Sequence, residues 1–488
     1  MRLLLLGAMP YPFAQGSQVY LREQALALEA AGAEVDLLTY PASRPTSPGA
    51  GPPLTPRTGP TGSSMGGGSA AVQRWTVRPQ PLGELRHLES PRWTAPRRMR
   101  SGPSLAKPLA DLGLAMTLRD AVGLRAASNQ GSGSDAERYD AILTHNAEAC
   151  VIALMSLPAA RPAVVYCVHT LLGRELSSYL APPLSFTESA RSHLSGALRR
   201  ASGKRLDTLG AAIDRQLGRR VDGWIALTHE ADRVMRHQSA APGALIPPPL
   251  PDPLADRARL DPKATAESHG LEPGRYFLYS GNLDGYQEIG LLLETARCRR
   301  TRAGGGGGSD VPLVVATHDA RAERLLAPLA EAGIRLIRVA GTTAGDGDKK
   351  EGGEGESRPG SQGSSDAGVA EMQALIAGAR ATLCLRRALG GFPIKLANSL
   401  ALGTPPIAHH AHEWGLEHGE NAWIASPGDP VASLSRAIDR IARDDALAER
   451  LRPGARALYR AQHEPARAAA RTLALVDRVL ERRSRQRA

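Results

Sequence analysis

Short apolar runs that stop abruptly at polar residues recur along this chain, and helical patterns stand between them. LLLLG (3–7), EVDLLTY (34–40), AILTH (141–145), AVVYCVH (163–169) and GWIALT (223–228) form a first series. YFLYSG (276–281), PLVVATH (312–318), IRLIRVAG (334–341), ATLCLR (381–386) and TPPIAH (404–409) form a second. Parallel strands need crossover connections, so this alternation predicts parallel α/β sheets. The first crossover is legible in SQVYLREQALALEAAG. There Leu21, Ala25 and Leu28 recur at i, i+4 and i+7, Ser17 is the expected N-cap and Gly32 the expected stop. The Pro-rich LIPPPLPDPL (245–254) divides the two series as a linker, and a last helical pattern covers about 428–482. The predicted architecture is α/β, two Rossmann-like domains with a cleft between them. They cover 1–240 and 255–470, followed by a helix end and basic tail over 471–488.

Three tracts carry Gly, Pro, Ser and charge without periodicity, at 42–71, 301–310 and 345–368, and are expected to be disordered insertions. The four cysteines, at 150, 167, 298 and 384, have no ligand spacing, which suits a reduced cytoplasmic protein without a disulfide framework. MRLLLLG is too short for a signal peptide or a membrane span. The net charge is +11, but only six of the 60 basic residues are Lys, the Arg are scattered, and aromatic residues make up 4%. Nucleic acid is therefore not an expected partner. Peripheral contact with acidic lipid through the terminal ERRSRQRA stays open beside its reading as a solvated, frayed tail. Two metal patterns are weak: Asp346-Gly-Asp348 lies in an acidic Gly-rich tract, and His409, His410 and His412 have no partner cluster.

The stretch GGFPIKLANSLALGTPPIA (390–408) reads as a Gly-led loop, a short helix carrying Lys395 and Asn398, and a return to a strand, followed by GLEHGENA. Together with PYPFAQGSQVYLREQALAL, YDAILTHNAEA, VVYCVHT, VDGWIALTHEAD and YFLYSGNLDGYQEIGLLLETA, it resembles the retaining GT-B glycosyltransferases of the family-4 type, glycosyl transferases group 1. That resemblance covers nearly all of the chain outside the low-complexity tracts. It implies transfer of a sugar from a nucleotide-sugar donor to an acceptor, with no metal and no cofactor beyond the donor itself. The acceptor, whether a saccharide, a lipid-linked molecule or a small molecule, is not implied.

Further expectations follow from the resemblance. Gly16 and Ser17 open the loop-to-helix turn beside the diphosphate, where free backbone N–H groups favour anions. His169 contacts the donor sugar, while His145 either lines the acceptor side or packs. Relatives carry an Arg and, five residues on, a Lys that grip the diphosphate; here these places hold Asn282 and Gln287. The family's Glu pair falls on Gly390 and Asn398, so both carboxylates are missing. Lys395 is then expected to supply the missing cation, Asn398 to bond ribose, and the backbone of Gly390, Gly391 and Phe392 to cradle phosphate. Catalytic weight falls on His169 and Lys395, and Glu417 is expected to be structural. The missing charges also keep a non-catalytic sugar- or nucleotide-binding protein open. A sugar-nucleotide epimerase would need acid and base carboxylates, and none is convincingly placed.

Overall fold

The structure is a computed structural model of the 488-residue chain. It describes residues 1–11, 16–41, 75–77, 85–94, 107–123, 139–176, 193–256, 259–283, 287–303, 311–339, 361–386, 391–409 and 412–488. The tracts 42–71, 304–310 and 345–360, with Asp346, Asp348, Gly390 and His410, lie outside the described residues.

The first sheet is built from β1 (Arg2–Pro10), β2 (Glu34–Tyr40), β3 (Trp75–Val77), β4 (Arg86–Glu89), β5 (Ala141–His145), β6 (Ala163–Val168), β7 (Gly223–Ala226) and β8 (Gly243–Leu245). Their order is β3-β4-β2-β1-β5-β6-β7-β8; β3 pairs antiparallel with β4 and the other neighbours pair parallel. The second sheet contains β9 (Phe277–Ser280), β10 (Leu313–Thr317), β11 (Ile334–Arg338), β12 (Ala381–Cys384), β13 (Pro406–Ala408) and β14 (Trp423–Ile424). It is parallel throughout, in the order β11-β10-β9-β12-β13-β14. All ten apolar runs contain a strand, and the two-sheet α/β architecture stands as expected.

Because helices cover both faces, the central strands β1, β5, β6, β9, β10 and β12 are buried along nearly their whole length rather than at alternate positions. In β1, Leu3 and Leu5 enter one core while Leu4 and Leu6 enter another. Strand order reverses between β1 and β5 in the first sheet and between β9 and β12 in the second. Crevices at such reversals, beyond the carboxyl ends of the strands, are where open α/β sheets hold ligands.

Three details differ from expectation. The first helix runs Gly16–Ala30, so Ser17 lies inside its first turn and is not the cap. Its N–H, like that of Gly16, belongs to the first turn, which has no intrahelical acceptor. The helices Ile289–Ala303 and Ser361–Gly378 take in the first residues of the tract 301–310 and the last residues of the tract 345–368, both expected to be structureless. The terminal segment is helical to Arg487 instead of frayed, as part of the helix Pro465–Arg487.

That final helix does not stay with the second sheet. Leu475, Val476 and Val479 are fully buried in the core that also holds Leu3, Val165 and Ile225 of the first sheet. Arg483 donates to Asp222 Oδ2 and to the Arg161 carbonyl, both at 2.7 Å. Burying each of these side chains is worth about 1.5–3 kcal/mol, enough to seat the helix despite its charge. The linker is tied down beside it. Leu250 N–H donates to the His463 carbonyl at 2.9 Å, and a His463 ring nitrogen lies 2.8 Å from the Pro248 carbonyl. Among the described residues, no helix is long and apolar enough to cross a membrane.

Candidate functional site

The side chains expected to be functional collect near the two strand-order reversals. In the first sheet, β5 ends at His145, and His169 directly follows β6. His145 Nδ1 stands 3.0 Å from His169 Nε2, and the Tyr20 ring lies against both imidazoles with centroids 4.9 Å away. Both rings are buried, His145 completely and His169 with 7% exposed. Burial disfavours the imidazolium: it pulls His145 well below the ordinary histidine range and His169 down to about 3. Both are neutral at physiological pH.

This has a measurable consequence. An unfolded histidine takes up its proton near pH 6.5. Folded His169 resists until about 3, so its contribution to stability is lost progressively as pH falls through that window. The stability advantage of the wild type over His169→Gln is expected to shrink as pH falls from 7 to 4.5, by up to about 1.4 kcal/mol per pH unit below 6.5, seen as a narrowing melting-temperature difference. A pH-independent gap would mean that folded His169 titrates normally.

In the second sheet, Asn282 follows β9, and Lys395 sits in the first turn of the helix Ile394–Ala401. Lys395 Nζ donates to Gln287 Oε1 at 2.6 Å, and Gln287 Nε2 donates to Asn282 Oδ1 at 3.3 Å. The Tyr279 ring carries the ammonium at 4.0 Å from its centroid, and the Tyr279 hydroxyl donates to the Asn282 carbonyl at 2.7 Å. The residues standing where the resemblance implies a cation pair are thus wired to the lysine three helices' worth of sequence away. Burial raises the Cys384 thiol pKa at the end of β12, while Lys395 and Arg386 pull it down, so two cations face this strand end. Asn398 turns its amide to the Ile394 carbonyl at 3.3 Å, and Phe392 packs on His463 with ring centroids 4.8 Å apart, which leaves its backbone as its polar offering.

The two half-sites touch. Gly391 is left-handed at φ +78°, and a Cβ there would come within 2.8 Å of the His169 carbonyl oxygen and 2.7 Å of Thr170 Cγ2. A Cβ on Gly16 would lie 3.5 Å from Ile394 Cγ1, so the start of the first helix faces the start of the lysine-bearing helix. Gly391 with His169, and Gly16 with the start of the helix that carries Lys395, therefore meet along one seam. Glu417 makes a loop contact, its N–H donating to Asn421 Oδ1 at 2.8 Å.

Arg386, which sequence reasoning passed over, stands at the same strand end. It donates to the Gly391 carbonyl at 3.4 Å, and its signal was an Arg at the carboxyl end of ATLCLR. Tyr279 was hidden as one more apolar strand residue. Among the described residues, no group of three His, Cys, Asp or Glu is placed to hold a metal ion.

The glycosyl transferase 4-like domain family matches residues 15–249. No curated protein matches the chain. Among solved structures, sucrose-phosphate synthase from Thermosynechococcus elongatus superposes with TM-score 0.57 at 16% identity, covering 99% of this chain and 100% of its own. HepE from Anabaena in complex with UDP gives 0.54 at 12%, covering 98% and 100%. WaaG, a glycosyltransferase involved in lipopolysaccharide biosynthesis, gives 0.53 at 12%, covering 96% and 98%. At such identities the likeness is one of fold, and it extends over both sheets. Residues 15–249 thus match the glycosyl transferase 4-like domain family, and the chain as a whole has the GT-B fold of these glycosyltransferase structures.

Proposed function

We propose that the protein transfers a hexose-like unit from a nucleotide sugar to an acceptor hydroxyl, with retention of anomeric configuration and without a metal. The observation that carries the proposal is the contact of Gly391 with His169 and Thr170, which joins the histidine end of the first sheet to the cationic end of the second. Lys395 and Arg386, with the backbone N–H of Gly391 and Phe392 and the first turn at Gly16 and Ser17, would neutralise the departing diphosphate. Asn282 and Gln287 would bond it without charge, Asn398 would take ribose, and His169 would hold a sugar hydroxyl. The acceptor oxygen bonds to the anomeric carbon on the face that the nucleotide leaves. The bond from that carbon to the phosphate oxygen breaks, and the acceptor proton passes to the released diphosphate. Charge stabilisation and positioning carry the rate, since no side-chain nucleophile is required. HepE has been solved with UDP and with UDP-glucose, which makes uridine nucleotides the first to try.

A ligand that binds only the folded state raises the melting temperature, by about 2.7 kcal/mol at a hundredfold excess over Kd. UDP or GDP is expected to stabilise the protein equally with magnesium and with EDTA. Stabilisation that needs magnesium would remove the metal-free part of the proposal. No response to any nucleoside diphosphate would favour a second reading, a non-catalytic relative whose lysine is already satisfied by Gln287 and Tyr279.

A further inference from the structure

We propose that His145 is a positioning residue for His169: it donates the hydrogen bond that fixes the proton of His169 on Nδ1 and so presents an N–H donor, not a bare nitrogen, to the sugar. This rests on the reading of His169 as a sugar contact.

The geometry leaves the pair little freedom. The rings meet edge-on at 83° with centroids 5.1 Å apart, and Tyr20 packs on both. His145 is closed off by its place between β1 and β6, opposite Gly7 and Cys167. Because both imidazoles are neutral, one hydrogen lies between His145 Nδ1 and His169 Nε2, and each ring has one further nitrogen.

Two arrangements exist. If His169 Nε2–H donates, the remaining hydrogen of His145 sits on its Nε2, which is buried and has no hydrogen-bond partner. If His145 Nδ1–H donates, that same Nε2 is a bare acceptor, and His169 carries its hydrogen on Nδ1. An orphaned buried N–H is rarer than an under-satisfied acceptor, so the second arrangement wins. The bond made by one nitrogen of an imidazole sets the state of the other. A fixed Nδ1–H selects a sugar oxygen as its partner and spares the reaction the cost of sorting tautomers.

The test uses full-length protein labelled with 15N-histidine, read by long-range proton–nitrogen correlation, with His169→Gln assigning the signals. Wild-type His169 is expected to show a protonated Nδ1 and a bare Nε2, unchanged from pH 5 to 8. His145→Asn, whose amide nitrogen takes the place of Nδ1, should keep that state. His145→Phe, which keeps the ring packing on Tyr20, should lose it. With UDP-glucose as donor, His145→Phe is expected to lower kcat by about 10- to 100-fold with little change in KM, and His145→Asn to restore most of it. A His169 protonated on Nε2, or a tautomer indifferent to His145→Phe, overturns the proposal. A tautomer that responds as expected while kcat does not would instead remove the sugar contact assigned to His169.

Discussion

Lys395→Ala is expected to reduce transfer from the nucleotide sugar by about 10²–10³-fold, the range seen when one preorganised group that stabilises developing charge is removed. The side chain is held for this role before any ligand arrives. Gln287 Oε1 accepts from it at 2.6 Å and Tyr279 supplies a ring face at 4.0 Å, so little reorganisation is left for the reaction itself. The fold should lose about 1–3 kcal/mol, because the buried Gln287 Oε1 is left without this donor and the cation–π contact goes with it. Lys395→Arg should recover only part of the rate, since a planar fork cannot take the place of a compact ammonium between an amide and a ring. Initial rates and donor KM for both variants decide the matter. Turnover of Lys395→Ala within a fewfold of wild type would transfer the charge role to Arg386, and a fall confined to KM would make Lys395 a binding group only.

Gly391→Ala is expected to cost both stability and turnover, and Gly419→Ala only stability. The two glycines share a left-handed conformation, φ +78° and φ +80°, but a Cβ at 419 would meet nothing within 4 Å. Gly419→Ala therefore reports the backbone penalty alone, about 1–2 kcal/mol. At 391 the added carbon also presses on the His169 carbonyl, a backbone group that cannot swing aside. The two half-sites must part, and a displacement of about 1 Å at reacting groups can cost 10²-fold. The difference between the variants, in melting temperature and in kcat/KM, isolates the seam. Equal behaviour of the two would mean that the contact at 391 has no part in catalysis.

The sheets were legible because parallel strands buried on both faces read as continuous apolar runs, and each stopped where its polar end began. The strands β3 (WTV), β4 (RHLE), β8 (GAL) and β14 (WI) were not, since none lies in one of the apolar runs that stop abruptly at polar residues. RHLE in β4 reads as surface, yet its His87 is fully buried, with Nε2 2.9 Å from Thr39 Oγ1. Lys395 stood out as a rare lysine in a chain rich in Arg. Its bond to Gln287 could not be foreseen, because that distance is set by packing between a strand-end loop and a helix far along the chain. The amphipathic stripe of Pro465–Arg487 likewise announced a helix without saying which sheet it would cover.

That last helix sets an order for synthesis. The face of the first sheet that it covers is made early, from Leu3 to Ile225, while Leu475, Val476 and Val479 come more than two hundred positions later. From Ile225 to Leu475 is 250 residues, so at roughly 5–20 residues per second the interval is about twelve to fifty seconds. During it the second domain can close as one continuous stretch of chain, whereas the first waits with an open apolar face. The half that is translated first is therefore the half whose core is completed last.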